Sequence, residues 1–563
     1  MKYVVLAIWC AGCLEHVELA DDPLPGLTSL EVMPSDTSIQ IALPAAAETV
    51  TFAAIGHFSD GSQRDVTADV AWLADDPVPG MFATPGSYST SNRAGGHLAI
   101  RAEHGTVTAA ATLTIRLSAT LIDSAFPPPE GADGLFAGAT PMPDPMKSPV
   151  IAYPAAATAF PQALAPALFQ YKANPATDTY RLSFESDVLD LRVYTGSDRW
   201  RPEADAWTLI AASHRGATVT WSVDAAASTA PGPVYAGTTE PLAFADAPAP
   251  GRLFYATKSK PGTTAAVFAG ELAATSADHV YPFAADTTPA TNETIGTGGA
   301  TMAVAYGGHL HVVDLVRSQD KATPAPMWWA AVSPDGRVVA VAAMGMLSLF
   351  DAVTGAGIGS PDGHVDLGGK QVTHPAWSPD GRQLAVTVAT MITPDDLKGG
   401  AIARLPYNGN GAVGPAVIVV PSSADTDNSY APSWSPDGAY LAFVHTTGVV
   451  KDAPGSELRL VAAAGGPPIV LQRASHQLAG MTAAMLADTT PVWSPDGRWL
   501  AFATQRPYGV VRPMAGGAQV WITALDLASG DPDPSAPAFW SAAQDLTTEN
   551  VTPCWTVTPT VMQ

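Results

Sequence analysis

The chain has 563 residues, 28 Lys+Arg against 52 Asp+Glu and a net charge of −24, which excludes a single ordinary domain and disfavours nucleic acid or an anionic lipid surface as partner. Gly 49 and Pro 51 imply many turns, and only 14% of residues are charged, well under the ~25% of an average chain. Chain order then starts with an address. Met1-Lys2 precedes an apolar run, Tyr3 to Trp9, and small residues follow, which reads as a secretory signal. There are 3 cysteines, two of them in this signal, so no disulfide framework is expected and packing must supply the stability. No apolar run reaches the ~18 residues that cross a bilayer.

Ala11-Gly12-Cys13 resembles a bacterial lipobox, with Cys10 where that motif prefers Leu. The resemblance implies a lipid on Cys13 and a chain exported across the inner membrane and anchored in the cell envelope, with its domains in water. Residues 1–13 are thus a signal peptide with lipobox, and 14–26 a tether.

Residues 27–117 alternate with the period of strands at Leu30/Val32, Ile39/Ile41 and Val50/Phe52/Ala54. Ser59-Asp60-Gly61-Ser62 marks a hairpin turn, and Asp65-Val66-Thr67 and Val70-Ala71-Trp72 follow. This segment resembles the bacterial Ig-like domain of group 2, which implies a spacer or adhesion module with Trp72 in its core. Residues 118–147, with Pro127-Pro128-Pro129, read as a Pro-rich linker. Residues 148–285 alternate again and predict a second β-sandwich whose aromatics, Tyr180, Phe184, Tyr194, Trp207 and Trp221, are core.

Residues 286–563 contain a repeat. Ser-Pro-Asp-Gly occurs with its Asp at Asp335, Asp380, Asp437 and Asp496, spacings of 45, 57 and 59 residues, each followed by an apolar strand. Pro presets φ, Asp bonds back to the turn and Gly takes φ above zero, so each copy is a hairpin turn within one four-stranded blade. Trp377, Trp434 and Trp493 precede the turn, Val332 stands at that place in the first copy, and Trp555 begins a further, truncated repeat. The motif resembles the TolB-type β-propeller repeat. The fold class expected is therefore all-β: one or two Ig-like sandwiches followed by a five- or six-bladed propeller. Closure is expected from pairing the hairpin of 301–313 with the strand around Trp555, and a sixth blade has room in 286–330.

Residues just ahead of each Trp should enter the innermost strand and reach the channel mouth. Trp328, Trp329, His374, Asn428, Tyr430, Asp488 and Asn550 are the candidate ligand-binding residues, with Thr373, Thr490 and Thr552 beside them. No catalytic residue, cofactor or metal is assigned. No Gly-x-Ser-x-Gly elbow, Walker loop or His-Glu-x-x-His is present. His309/His311 and the Asp425–Asn428 and Asp531–Asp533 clusters read as strand and turn polarity. These features predict a non-enzymatic envelope scaffold that binds a protein or peptide at the channel mouth. Two alternatives stay open: a glycan-binding adhesin, and a polysaccharide lyase or glycosidase using Asp488 and Asp427 as a carboxylate pair.

Overall fold

A side-chain clamp makes each repeated turn. In the copy at Ser378, the Ser hydroxyl donates to Asp380 Oδ1 at 2.6 Å, that oxygen accepts the Arg382 N–H at 3.0 Å, and the Ser oxygen accepts the Gln383 N–H at 2.9 Å. The same three bonds recur around Ser333, Ser435 and Ser494. The glycine that follows takes φ near +70° in every copy: Gly336 71°, Gly381 68°, Gly438 71° and Gly497 71°. The clamp satisfies the turn locally, so the flanking apolar residues are committed to strands.

The computed structural model describes residues 24–229, 232–258, 265–281, 295–298, 300–306, 309–393, 396–450, 453–475, 487–511 and 517–556. Cys13, the signal and most of the tether lie outside the described residues. Contacts divide the chain into two compact units: residues up to 41 with 45–92 and 96–116, and residues 42–44, 93–95 and 117 onward.

The first unit is antiparallel β. Leu27–Met33 pairs with Ala53–Phe58, which turns through Asp60-Gly61 into Gln63–Asp65. The Ser62 N–H bonds to Asp60 Oδ1 at 2.9 Å and Gly61 has φ 83°, so the expected hairpin turn forms. Phe52, Tyr88, Ile100, Leu113 and Ile115 are buried. Trp72 is not the core plug that the Ig-like resemblance implied. It is half-buried between Phe52 and Phe82, its indole N–H donating to Thr67 O at 2.9 Å, and Tyr88 occupies the centre instead.

In the second unit, residues 117–248 build a mixed sheet. Thr179–Glu185 pairs antiparallel with Leu189–Thr195 and Thr218–Ala226, while Leu117–Ile122 runs parallel to Leu189–Tyr194. Two departures from the sequence reading appear. A ten-residue helix, Ala204–Ser213, buries Trp207, Ile210 and Ala211 against the sheet, where only strands were expected. Residues 118–147 are not a free spacer. They start as strand, then form the short helix Ala132–Phe136, whose Ala132 and Phe136 pack on Tyr194, Ala226 and Val234. Tyr180, Phe184, Tyr194, Trp207 and Trp221 are all buried.

The rest of this unit is a β-propeller. Among the described residues it has six four-stranded antiparallel sheets. From the inside outward, blade 1 is Glu549–Thr556, Arg252–Lys258, Ala265–Gly270 and Asp278–Tyr281; blade 2 is Ile295–Gly298, Thr301–Tyr306, His309–Asp314 and Gln319–Pro326. Blades 3 to 6 have inner strands Trp329–Val332, Gln371–Trp377, Asp427–Trp434 and Thr489–Trp493. Each inner strand contacts the next around the ring, and Glu549–Thr556 touches the inner strands of blades 6 and 2. The expected closure is corrected here. The last strand pairs with Arg252–Lys258, not with the 301–313 hairpin, which is the middle of blade 2. The propeller therefore begins near Arg252, inside the segment the sequence reading gave to a second sandwich.

Blades 3 to 6 are joined to one another by tryptophan. Trp377 packs among Leu347, Leu349, Leu384 and Val386, and Trp434 among Ala385, Ile402, Leu441 and Phe443, so each ring is wedged between two sheets. Its indole N–H donates to the backbone of the preceding inner strand: Trp377 to Ala331 O at 3.1 Å, Trp434 to Ala376 O at 3.2 Å, Trp493 to Ser433 O at 3.2 Å. At the seam, Trp555 donates to Pro250 O at 2.9 Å. Gly251, with φ 85°, takes the place of the repeat glycine there. A Cβ on Gly251 would stand 3.2 Å from the Pro495 ring, much as one on Gly438 would stand 3.5 Å from Pro379.

The sheet of residues 117–248 is fastened to blade 6. Gln170 Oε1 accepts the Val510 and Val511 N–H groups at 2.9 and 3.1 Å, Tyr153 Oη accepts the Trp540 N–H at 3.1 Å, and Phe160 meets Phe539 edge-on at 5.2 Å. These buried and half-buried contacts make the two one packed body.

Candidate functional site

The residue three places ahead of each repeat Trp faces the channel. It is Trp329 in blade 3 (counted from Val332), His374 in blade 4, Ala431 in blade 5, Thr490 in blade 6 and Thr552 in blade 1. In four of these blades the next residue is proline: Pro375, Pro432, Pro491 and Pro553. Proline lacks the N–H that a ladder needs, so the pairing slips there. Register shifts fall between Thr373 and Ala376, Tyr430 and Ser433, and Thr489 and Val492. The residue ahead of each proline is left-handed: His374 φ 49°, Ala431 52°, Thr490 46° and Thr552 46°. For β-branched threonine this conformation is a genuine outlier, at about 1–3 kcal/mol each. Strain of one kind thus recurs at one level of four blades.

Inside this collar lies a cavity of about 450 Å³, within the ~300–1,000 Å³ of small-ligand pockets. Among its described lining residues there is no Asp, Glu, Lys or Arg. In a chain of net charge −24 the described lining of this cavity is thus uncharged. One wall is aromatic. The Trp329 and His374 rings lie 3.9 Å apart between centroids, and Tyr430 follows at 5.8 Å from His374. His374 Nδ1 and Thr490 Oγ1 are shielded from water and make no hydrogen bond. Burial pushes the His374 imidazole down to about 3, so it is neutral near pH 7. Cys554, half-buried, also lines the cavity.

The structure divides the sequence-derived candidates. Trp329 and His374 line the cavity, with Thr490 and Thr552, and Tyr430 lies against His374. Trp328 is half-buried ahead of its strand and does not line the cavity. Asn428 is wholly buried, accepting the Gly400 N–H at 3.0 Å and donating to Gly448 O at 2.8 Å. Asn550 is wholly buried, donating to Gln519 Oε1 at 3.2 Å and accepting from Thr257 at 2.8 Å. Asp488 is wholly buried: Arg506 donates to it at 2.7 Å and Ser475 at 2.5 Å. These three tie strands together and are not ligand groups at the mouth. The physical reason is register. They sit five or six places ahead of the Trp, and only the place at three turns inward. Ala431 was missed, although Ala-Pro-Ser-Trp, beside His-Pro-Ala-Trp, Thr-Pro-Val-Trp and Thr-Pro-Cys-Trp, marks it by its proline.

The carboxylates nominated for catalysis are both held by neighbours. Asp488 is occupied by Arg506. Asp427 accepts the Ser423 hydroxyl at 2.6 Å and its N–H at 2.8 Å, which holds its carboxyl below the usual carboxylate range.

Comparison with solved structures finds propellers at low identity. TolB from Acinetobacter baumannii is 14% identical with TM-score 0.34, the match covering 60% of this chain and 79% of that one. A TolB from Agrobacterium tumefaciens is 12% identical with TM-score 0.33, covering 54% and 98%. A 6-phosphogluconolactonase from Bacteroides uniformis is 14% identical with TM-score 0.31, covering 50% and 80%. No family model matches the chain, and no curated protein matches it.

Two outcomes are expected. Asp488→Ala leaves Arg506 buried without its partner and should cost about 3–5 kcal/mol in denaturant unfolding; a loss under ~1 kcal/mol would mean that Arg506 reaches water. For His374 the ordinary value is 6.5 and the folded value about 3. Between these the unfolded chain binds a proton that the folded chain refuses, so stability is full above pH 6.5 and drains as pH falls toward 3. His374→Gln should flatten the stability profile across that window, and an unchanged slope would show that His374 protonates in place.

Proposed function

We propose that this protein is a non-enzymatic, lipid-anchored scaffold of the cell envelope whose propeller takes a protein or peptide partner at the channel. The observation that carries the reading is the collar: four strained residues of one register around an uncharged cavity with an aromatic wall. Strain of this kind is a feature of ligand clamps and is kept only where surrounding structure over-determines it. Here the tryptophan wedges and the proline positions do so.

Catalysis is the weaker reading because general acid–base work needs a carboxyl raised toward neutrality and open to substrate. Asp427 is moved the opposite way by Ser423, and Asp488 is committed to Arg506. The lipid at Cys13 rests on the lipobox-like Ala11-Gly12-Cys13 alone. It would place the propeller at the membrane surface without a spanning helix, and among the described residues no helix is long and apolar enough to span.

The test is cross-linking of full-length protein in intact envelopes, compared with Trp329→Ala and His374→Ala. A defined protein should cross-link to the parent, fall at least fivefold in both channel variants, and persist in an Arg192→Ala control on the sheet of residues 117–248. Equal recovery from parent and channel variants would reject binding at the channel.

A further inference from the structure

A second cavity, of about 530 Å³, lies between blades 2 and 3 and shares no described lining residue with the channel. Thr323 and Ala325 line it from blade 2, Val341 and Phe350 from blade 3. This is the joint whose repeat position holds Val332 in place of Trp, and Val332 packs in one cluster with Val341 and Phe350. A valine fills less of the joint than an indole. Met344, Met346 and His364 also line this cavity. Met344 is 53% exposed and Met346 48%, so both residues meet water with open space beside them. Met344-Gly345 is the two-residue turn between Val338–Ala343 and Met346–Asp351, with φ 50° and 76°. A turn with φ positive at both places favours Asn-Gly, and a bulky residue there is an outlier. The sequence thus keeps a thioether where turn chemistry favours an amide. The turn is held in place, because the Gly345 carbonyl accepts the Val372 N–H at 2.9 Å. His364 comes from the outer strand and pairs directly with Ser348. Met346 is the diagonal neighbour of that pair, at ~7–8 Å, a span that long side chains bridge.

Asp362 lines the same cavity. It accepts the Ser360 hydroxyl at 2.7 Å and the His364 N–H at 3.2 Å, and the Ser360 bond holds its carboxyl below the usual carboxylate range, so it is ionised near pH 7. Among the described residues no three His, Cys, Asp or Glu are grouped to hold a metal ion. The donors here are of another kind. Thioether sulfur is neutral and polarizable and selects a soft cation, and imidazole suits copper as well, whereas oxygen-seeking ions gain little from sulfur. We infer that Met344, Met346 and His364 form a binding site for a soft monovalent cation, Cu(I) or its analogue Ag(I), with Asp362 supplying the opposite charge beside it. Two sulfurs and one nitrogen make a three-coordinate site on the turn and outer strand of blade 3. The net charge of −24 draws cations of every kind to the surface, and the sulfurs choose among them. The site does not depend on what the channel binds.

The probe is Ag(I), which seeks thioethers as Cu(I) does and keeps one oxidation state in air. The full chain, labelled with ¹³C-methyl methionine and with its thiols blocked by methyl methanethiosulfonate, is titrated at pH 7 in chloride-free buffer and read by methyl NMR. Single Met→Leu variants assign the Met344 and Met346 signals, and leucine keeps the side-chain volume. Both signals are expected to move together and to saturate at one equivalent, while Zn(II) at the same concentration leaves them in place. Cu(I), added without oxygen, should displace Ag(I) from the same signals. Met346→Leu and His364→Ala should each weaken Ag(I) at least about tenfold, read on the Met344 signal, and Met344→Leu should do the same, read on the Met346 signal. Each variant is to melt as the parent does. Methionine signals that Ag(I) does not move, that Zn(II) moves as strongly, or that respond to Ag(I) equally well in His364→Ala would each overturn the inference.

Discussion

Blades 3 to 6 are held to one another by one contact: the repeat indole, lodged between two sheets with its N–H on the neighbouring strand's carbonyl. Burying a Trp removes roughly 150–250 Å² from water, on the order of 4–6 kcal/mol at ~25 cal/mol per Å² and an upper bound. The hydrogen bond contributes about 1 kcal/mol net. Burial therefore holds the blades together, and the bond selects the one register in which they meet. That register carries Trp329, His374, Ala431, Thr490 and Thr552 to a common level of the channel. Where the chain ends meet, Trp555 bonds to Pro250 within blade 1 and not to the inner strand of blade 6, while Gly251 stands at the turn-glycine place, a Cβ on it 3.2 Å from the Pro495 ring of blade 6.

From that constraint the collar follows. In blades 4 to 6 the inner strand is fixed at its outgoing end by the Trp and the Ser-Asp clamp, and ahead of the Trp a proline interrupts the ladder, as Pro553 does ahead of Trp555 in blade 1. The intervening residue has no pairing partner to set its φ, and it turns left-handed toward the axis. The same geometry thus produces a ring of strained residues along the cavity wall. Small or neutral residues at these places leave a cavity without charge, in a molecule whose surface is acidic.

Much of this was legible in the sequence. Ser-Pro-Asp-Gly carries its own local hydrogen bonds, so the four turns, the strands after them and the wedge role of Trp377, Trp434 and Trp493 could be read without tertiary information. Trp329 and His374 were legible as channel residues for the same reason. Blade 2 was legible only as room for a further blade in 286–330 and blade 1 only at its Trp555 strand, because neither carries the clamp, and the pairing of Arg252–Lys258 with Glu549–Thr556 spans almost 300 residues of chain. Asn428, Asp488 and Asn550 misled by polarity. Their side chains answer buried backbone and a buried Arg506, which a count of polar residues near a Trp does not reveal. The helix Ala204–Ser213 was masked by alternating neighbours, although Pro202-Glu203 and the Ala-rich run that follows it mark a helix start.

The most direct measurement is hydrogen exchange at the indole N–H groups of Trp377, Trp434, Trp493 and Trp555, resolved by NMR on protein labelled with ¹⁵N-tryptophan and assigned through single Trp→Phe variants. If these bonds join the blades, the Trp377, Trp434 and Trp493 protons exchange only through global unfolding, with protection that falls together as denaturant is added, and Trp555, bonded within blade 1, serves as the comparison. Exchange of any of Trp377, Trp434 or Trp493 at the rate of an exposed indole, with the fold intact, would contradict the joint on which the ring and its channel depend.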